Sequence, residues 1–172
     1  EGQFEDIYPD QIIEAPIAFP IVPGGSITSN YVIGGHLLNG TLFYQGLDFN
    51  LQPLASTIST SETSSGSGAN YLAGMARRSD GALTLVGSSK DGRIWTTISH
   101  PTGTPSLTGS FLIDVDGGLE EAYDVTLLSG DRLLIGGRAE SSNSSNDDSK
   151  AALLEFEMNT ATVNWVRTYG NA

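Results

Sequence analysis

Leu133-Leu134-Ile135-Gly136-Gly137 decides how this chain is read, because it recurs as Tyr31-Val32-Ile33-Gly34-Gly35 and as Leu83-Thr84-Leu85-Val86-Gly87. Setting Gly34, Gly87 and Gly136 in register gives a period of about fifty residues, the length of a supersecondary unit that stacks or is arrayed radially. Each phrase is a short apolar run closed by glycine, the pattern of a buried strand. The fold is therefore sought as three copies of one unit.

Working outward, the second unit is the cleanest. Tyr71 to Arg77, a turn at Asp80-Gly81, Ala82 to Ser88, a turn at Asp91-Gly92, Arg93 to His100, a Pro/Gly loop and Leu107 to Val115 give four strands. The third unit repeats the plan with Ala122 to Leu128, a turn at Ser129-Gly130, Asp131 to Gly137, a long polar loop, Lys150 to Met158 and Thr162 to Tyr169. Leu154, Phe156 and Met158 alternate there with Glu155 and Glu157, the period of two that a sheet demands. In the first unit the opening strand is expected at Ala15 to Val22, followed by a turn at Gly24-Gly25, the strand ending at Gly35, the hairpin signal Asn39-Gly40, Thr41 to Phe49, and a fourth strand near 51–58.

Leu119, Ala122, Tyr123, Thr126 and Leu127 fall on a helical stripe. The aligned segments contain Gly74 and two prolines, which do not suit a helix interior, so this stretch too is read as strand. The domain division is an extended acidic arm at 1–13, units at 14–58, 70–115 and 116–170, and a Ser/Thr/Gly linker at 59–69.

Composition narrows the partners. Only 16% of residues are charged, against about a quarter in an average domain, so Ser, Thr and Asn must form much of the surface, as they do more often outside cells. A net charge of −12 argues against nucleic acid and anionic membrane surfaces, which require clustered Lys or Arg. Absence of cysteine excludes a disulfide framework and thiolate chemistry. No apolar run approaches the ~18 residues of a membrane span, and the chain opens without a basic and apolar leader, so it reads as a mature or excised piece.

Four short strands per fifty residues, with glycine closing the second and Trp in the third or fourth, resemble a β-propeller blade. Tyr123-Asp124-Val125, Leu133 to Gly137, Ala152 to Phe156 and Val163 to Gly170, which contains Trp165 and Thr168-Tyr169-Gly170, are similar to secreted propeller repeats reading "DV … LLIGG … LLEF … W-x-x-TYG". The resemblance implies an extracellular or cell-surface protein of adhesive, scaffolding or glycan-binding type. It covers about residues 14–170 and says little of activity; the first unit departs from it, with two prolines and no Trp.

No catalytic constellation is present. His36 and His100 stand in no metal or nucleophile spacing, and neither a nucleophile elbow nor a phosphate loop occurs. Asp114, Asp116 and Glu120, with Gly117, form a fragment of a calcium loop, the alternative being an acidic connector. Asn39 and Asn143 satisfy N-x-[ST] in expected loops and are candidate glycosylation acceptors. Trp95 and Trp165 are expected between units as packing anchors, or else as sugar-stacking platforms.

The expectation is an all-β chain of three four-stranded antiparallel propeller-type blades, an incomplete β-propeller, with the turns at Gly24-Gly25, Asp80-Gly81 and Ser129-Gly130 on one rim. Functionally it reads as a non-catalytic extracellular structural or adhesive module without cofactor, calcium aside; the alternative is a glycan-binding lectin or glycosidase fragment. Because propellers close with about four to eight blades, three leave an apolar face bare at each end. Other chains, or a second copy, are expected to complete the ring. Other chains are favoured, since a symmetric pair would not need the acidic arm.

Overall fold

A computed structural model describes residues 7–15, 18–21, 25–37, 42–54, 58–60, 71–88, 92–99, 107–114, 120–140 and 149–170. All regular structure among the described residues is β, and none of them forms a helix long and apolar enough to cross a membrane. The strands are β1 (Ile7–Glu14), β2 (Ala18–Ile21), β3 (Gly25–Thr28), β4 (Tyr31–Leu37), β5 (Leu42–Leu47), β6 (Ile58–Thr60), β7 (Tyr71–Arg77), β8 (Leu83–Ser88), β9 (Ile94–Ser99), β10 (Leu107–Ile113), β11 (Glu120–Leu128), β12 (Arg132–Glu140), β13 (Ser149–Glu157) and β14 (Thr162–Tyr169). They pair antiparallel in the orders β1-β4-β5-β6, β7-β8-β9-β10 and β11-β12-β13-β14, here the first, second and third sheets, with β2-β3 a separate hairpin. Among the described residues the sheets do not close on one another.

The first unit differs most from its sequence reading. The expected arm supplies β1, which pairs with β4 from Ile7↔Leu37 to Glu14↔Tyr31. The expected opening strand instead folds back as β2 onto β3, inserted between β1 and β4. Proline explains the exchange. Pro20 lies in this two-stranded hairpin, whereas the Pro9 of β1 falls where the register with β4 shifts, a place that tolerates a missing N–H. Residues 48–52 form a turn held by the Asp48 carboxylate, which accepts from the backbone of Asn50 and Gln52 at 2.8 Å, with Leu51 at φ 62°. The fourth strand accordingly starts only at Ile58, and Ser59 and Thr60 of the expected linker belong to it; the remaining linker residues lie outside the described set.

The segment with the helical stripe is β11, its register with β12 running from Glu120↔Ala139 to Leu128↔Arg132. Tertiary pairing overrides the local period there, as the repeat requires.

The repeat reappears as a bulge. Pro9↔Gly35 is followed by Gln11↔Gly34, Leu72↔Gly87 by Gly74↔Val86, and Ala122↔Gly137 by Asp124↔Gly136, so Asp10, Ala73 and Tyr123 are each the extra residue of the opening strand. Structurally, Gly87 is the counterpart of Gly35 and Gly137, one residue from the sequence alignment. At Gly137 glycine is needed because the bulged strand crosses close above it: a Cβ there would lie 1.9 Å from the Glu121 carbonyl oxygen.

Successive sheets touch through their opening strands. β7 packs on β1 and β4, and β11 packs on β7 and β8. Between the first two sheets Val32 and Tyr44 are buried with Leu72, Met75, Leu83 and Leu85; the second and third share a core that includes Val86, Ile94, Val125, Ile135, Leu154 and Phe156. β8 is consequently buried at every residue, serving both cores. Close approach again selects small residues, since Met75 covers Gly34 and Val125 covers Gly74, each so near that an added Cβ would lie 2.4 Å and 2.5 Å from the covering side chain.

A polar joint closes one edge. Ser79 donates its N–H and hydroxyl to Asp131 at 3.2 and 2.9 Å, and Arg78 reaches Asn159 at 3.1 Å and Asp131 at 3.6 Å. This puts the turns at Asp80-Gly81 and Ser129-Gly130 on a common edge, where Gly81 (φ 87°) and Gly130 (φ 75°) take the left-handed conformation. Gly24 lies outside the described residues.

Candidate binding face

Alternation along β12 sends Leu133, Ile135 and Ala139 into the core and Arg132, Leu134, Gly136, Arg138 and Glu140 to the opposite face of the third sheet. Register brings Leu153 and Glu155 of β13, and Trp165, Arg167 and Tyr169 of β14, onto that same face. It is not the bare apolar face expected of a terminal unit. Leu134, Gly136 and Leu153 form a small apolar centre between two polar clusters.

In the first cluster, Glu155 is only 8% exposed, although it faces outward. It accepts from Asn164 at 2.9 Å and from Arg132 at 3.0 Å. The Asn164 hydrogen bond, aided by Arg132 and by the Trp165 indole and opposed by desolvation, holds this carboxyl below the usual glutamate range. Trp165 is half-buried here, with the Arg167 guanidinium 5.5 Å from its ring centroid. It therefore stands on the outer face of the last strand and not between two sheets of this chain, where the sequence reading expected an anchor. The side chain of Trp95 lies outside the described set.

The second cluster surrounds the bulge of β11. The Tyr123 hydroxyl donates to Glu121 at 2.9 Å, and Arg138 lies 3.3 Å from Glu121 and 3.2 Å from Glu140. Partial burial, then the hydrogen bond and negative charge of Glu121, raise the Tyr123 phenol above its ordinary value of 10.0; burial raises Tyr71 on β7, close enough to feel Glu121 and Arg138. Tyr123 itself is 56% exposed. An exposed ring beside carboxylates and a guanidinium can stack on one face of a ligand while its neighbours take hydrogen bonds. No sequence motif marks these residues. The period-two alternation of Arg132, Leu134, Gly136 and Arg138 was the signal that could have found them.

Asp114 is exposed at the end of β10, whereas Glu120 is buried at the start of β11, its N–H bonded to the Gly92 carbonyl at 2.6 Å. Asp116 lies outside the described residues, among which no group of three His, Cys, Asp or Glu side chains could hold a metal ion. Asn39, Asn143 and His100 also fall outside them. His36 pairs with the bulge residue Asp10 at 2.8 Å. No protein-family model and no curated protein matches the chain.

Proposed function

We propose that this chain is a non-catalytic extracellular structural or adhesive module, an incomplete β-propeller of three four-stranded blades that assembles with other chains or with copies of itself. The observation that carries this reading is the succession of β1, β7 and β11, each opening a sheet with the same bulge opposite a glycine, with β7 and β11 each packing on the sheet before it. The Ser-, Thr- and Asn-rich surface agrees with an extracellular setting. Native mass spectrometry of the protein from its source tests the reading: a defined complex supports it, and a stable 18.1 kDa monomer refutes it.

The cluster of Tyr71, Glu121, Tyr123, Arg138 and Glu140 favours a second reading, a glycan-binding face. Arg138 is ion-paired with both carboxylates, which suits binding better than hydrolysis by a free carboxylate pair. A glycan array with Tyr123→Ala as control separates the two; signal lost in that variant supports the lectin reading, and absence of signal removes it.

A further inference from the structure

We propose that the partner completing this arc is a second copy of the same chain, its first sheet seated on the outer face of the third sheet of its neighbour. The inference rests on the propeller reading and names the occupant of the open face.

The argument is one of matching positions. In the joint between the first and second sheets, Met75, Leu83 and Leu85 come together with Val32, Gly34 and Tyr44. The bulge register carries Met75, Leu83 and Leu85 to Ile12, Tyr31 and Ile33, because Met75↔Leu85 and Arg77↔Leu83 correspond to Ile12↔Ile33 and Glu14↔Tyr31. It carries Val32, Gly34 and Tyr44 to Leu134, Gly136 and Leu153, since Gly34↔Tyr44 corresponds to Gly136↔Leu153. One chain thus presents both halves of its own internal joint at opposite ends, neither covered by another sheet among the described residues. Ile12, the counterpart of the inserted Met75, is 50% exposed. Gly136, the counterpart of the covered Gly34, has only Leu153 Cδ2, at 3.6 Å, near the place a Cβ would occupy. The joint would place an apolar side chain over it.

Charge does not oppose the joint: on the receiving face Arg132 is paired with Glu155, Arg138 with Glu121 and Glu140, and Arg167 lies over Trp165, while the docking face of β1 presents the exposed Glu14 beside Ile12. Contacts that join two different patches make rings when the rotation closes. Two such chains supply six sheets, within the range of about four to eight blades at which propellers close. Because residues 7–14 are committed to the first sheet, they are not spare strand seeking a different protein.

The test uses the purified chain alone at micromolar concentration, by native mass spectrometry and sedimentation. The wild type is expected at twice 18.1 kDa, and Ile12→Arg and Gly136→Arg should each weaken association at least about tenfold, far-UV circular dichroism remaining that of a β protein. The chain has no cysteine, so Ile12→Cys and Gly136→Cys can be mixed and oxidised. An inter-chain disulfide is expected in the mixture and in neither variant alone, which checks the geometry without a disruptive side chain. A wild-type monomer, or a dimer indifferent to both Arg variants and untrapped by the cysteine pair, overturns the proposal. If the isolated chain is monomeric while the source material is a complex with other chains, the second copy is excluded and the propeller module stands.

Discussion

Gly137→Ala should be among the most damaging small substitutions in this chain, whereas Gly136→Ala, one residue away, should be nearly silent. At Gly137 the new Cβ falls 1.9 Å from the Glu121 carbonyl oxygen and 3.1 Å from Ala122 Cα, both backbone, so relief requires β11 to lift and its bulge to open. Overpacking that displaces backbone costs about 3 kcal/mol. For a domain of this size that lowers the melting temperature by about 6–12 °C. At Gly136 the nearest atom is at ordinary contact distance, 3.6 Å, and replacing a strand glycine by alanine gains roughly 0.5–1 kcal/mol of backbone entropy. Urea denaturation followed by tryptophan fluorescence, at protein concentrations where each chain unfolds alone, gives both midpoints. Equal midpoints for the two variants would refute the bulge-over-glycine account of the repeat.

Three further outcomes are expected. Gly34→Ala should cost less than Gly137→Ala, because the obstacle is the flexible end of Met75, and Met75→Ala in the same chain should recover part of the loss; strict additivity in the double-mutant cycle would contradict the contact. Burial raises the Asp131 carboxyl, but hydrogen bonds from Ser79 and the charge of Arg78 outweigh it and hold the group below its ordinary value of 3.8. Its stabilising contribution is therefore complete above that value and lost as pH falls through the lower folded one, so Asp131→Asn should cost about 1 kcal/mol at neutral pH and flatten the acid limb of the stability profile; an unchanged limb would count against the joint. Glu121→Gln removes a carboxylate that repels the Tyr123 phenolate, so the phenol should titrate closer to 10.0 in a tyrosinate absorbance titration referenced to Tyr123→Phe, and no movement would contradict the cluster.

The repeat was legible because buried strands closed by glycine leave a strong local mark. The exact register was not, since Val86 stands where the other two units have Gly34 and Gly136, and only pairing reveals that Gly87 matches the second glycine of each pair. β1 escaped notice for a similar reason. Its apolar run Ile12-Ile13 is short and stands among acidic residues, and its Pro9 marks the shift in register that only the sheet reveals. The outer face of the third sheet was expected to be bare and apolar, and Arg132, Asn164 and Glu155 converge on it only once β12, β13 and β14 are aligned. For the carboxylates read as a calcium fragment, sequence neighbours went to different environments, Asp114 exposed and Glu120 buried.

The stacking of successive sheets on their opening strands is tested most directly by nuclear Overhauser contacts in a methyl-labelled sample. The account predicts a contact from the Met75 methyl to the Gly34 α-protons and another from a Val125 methyl to the Gly74 α-protons. If both are absent while the contacts across β7-β8 and β11-β12 are present, the sheets form without stacking in this order, and the propeller account is contradicted.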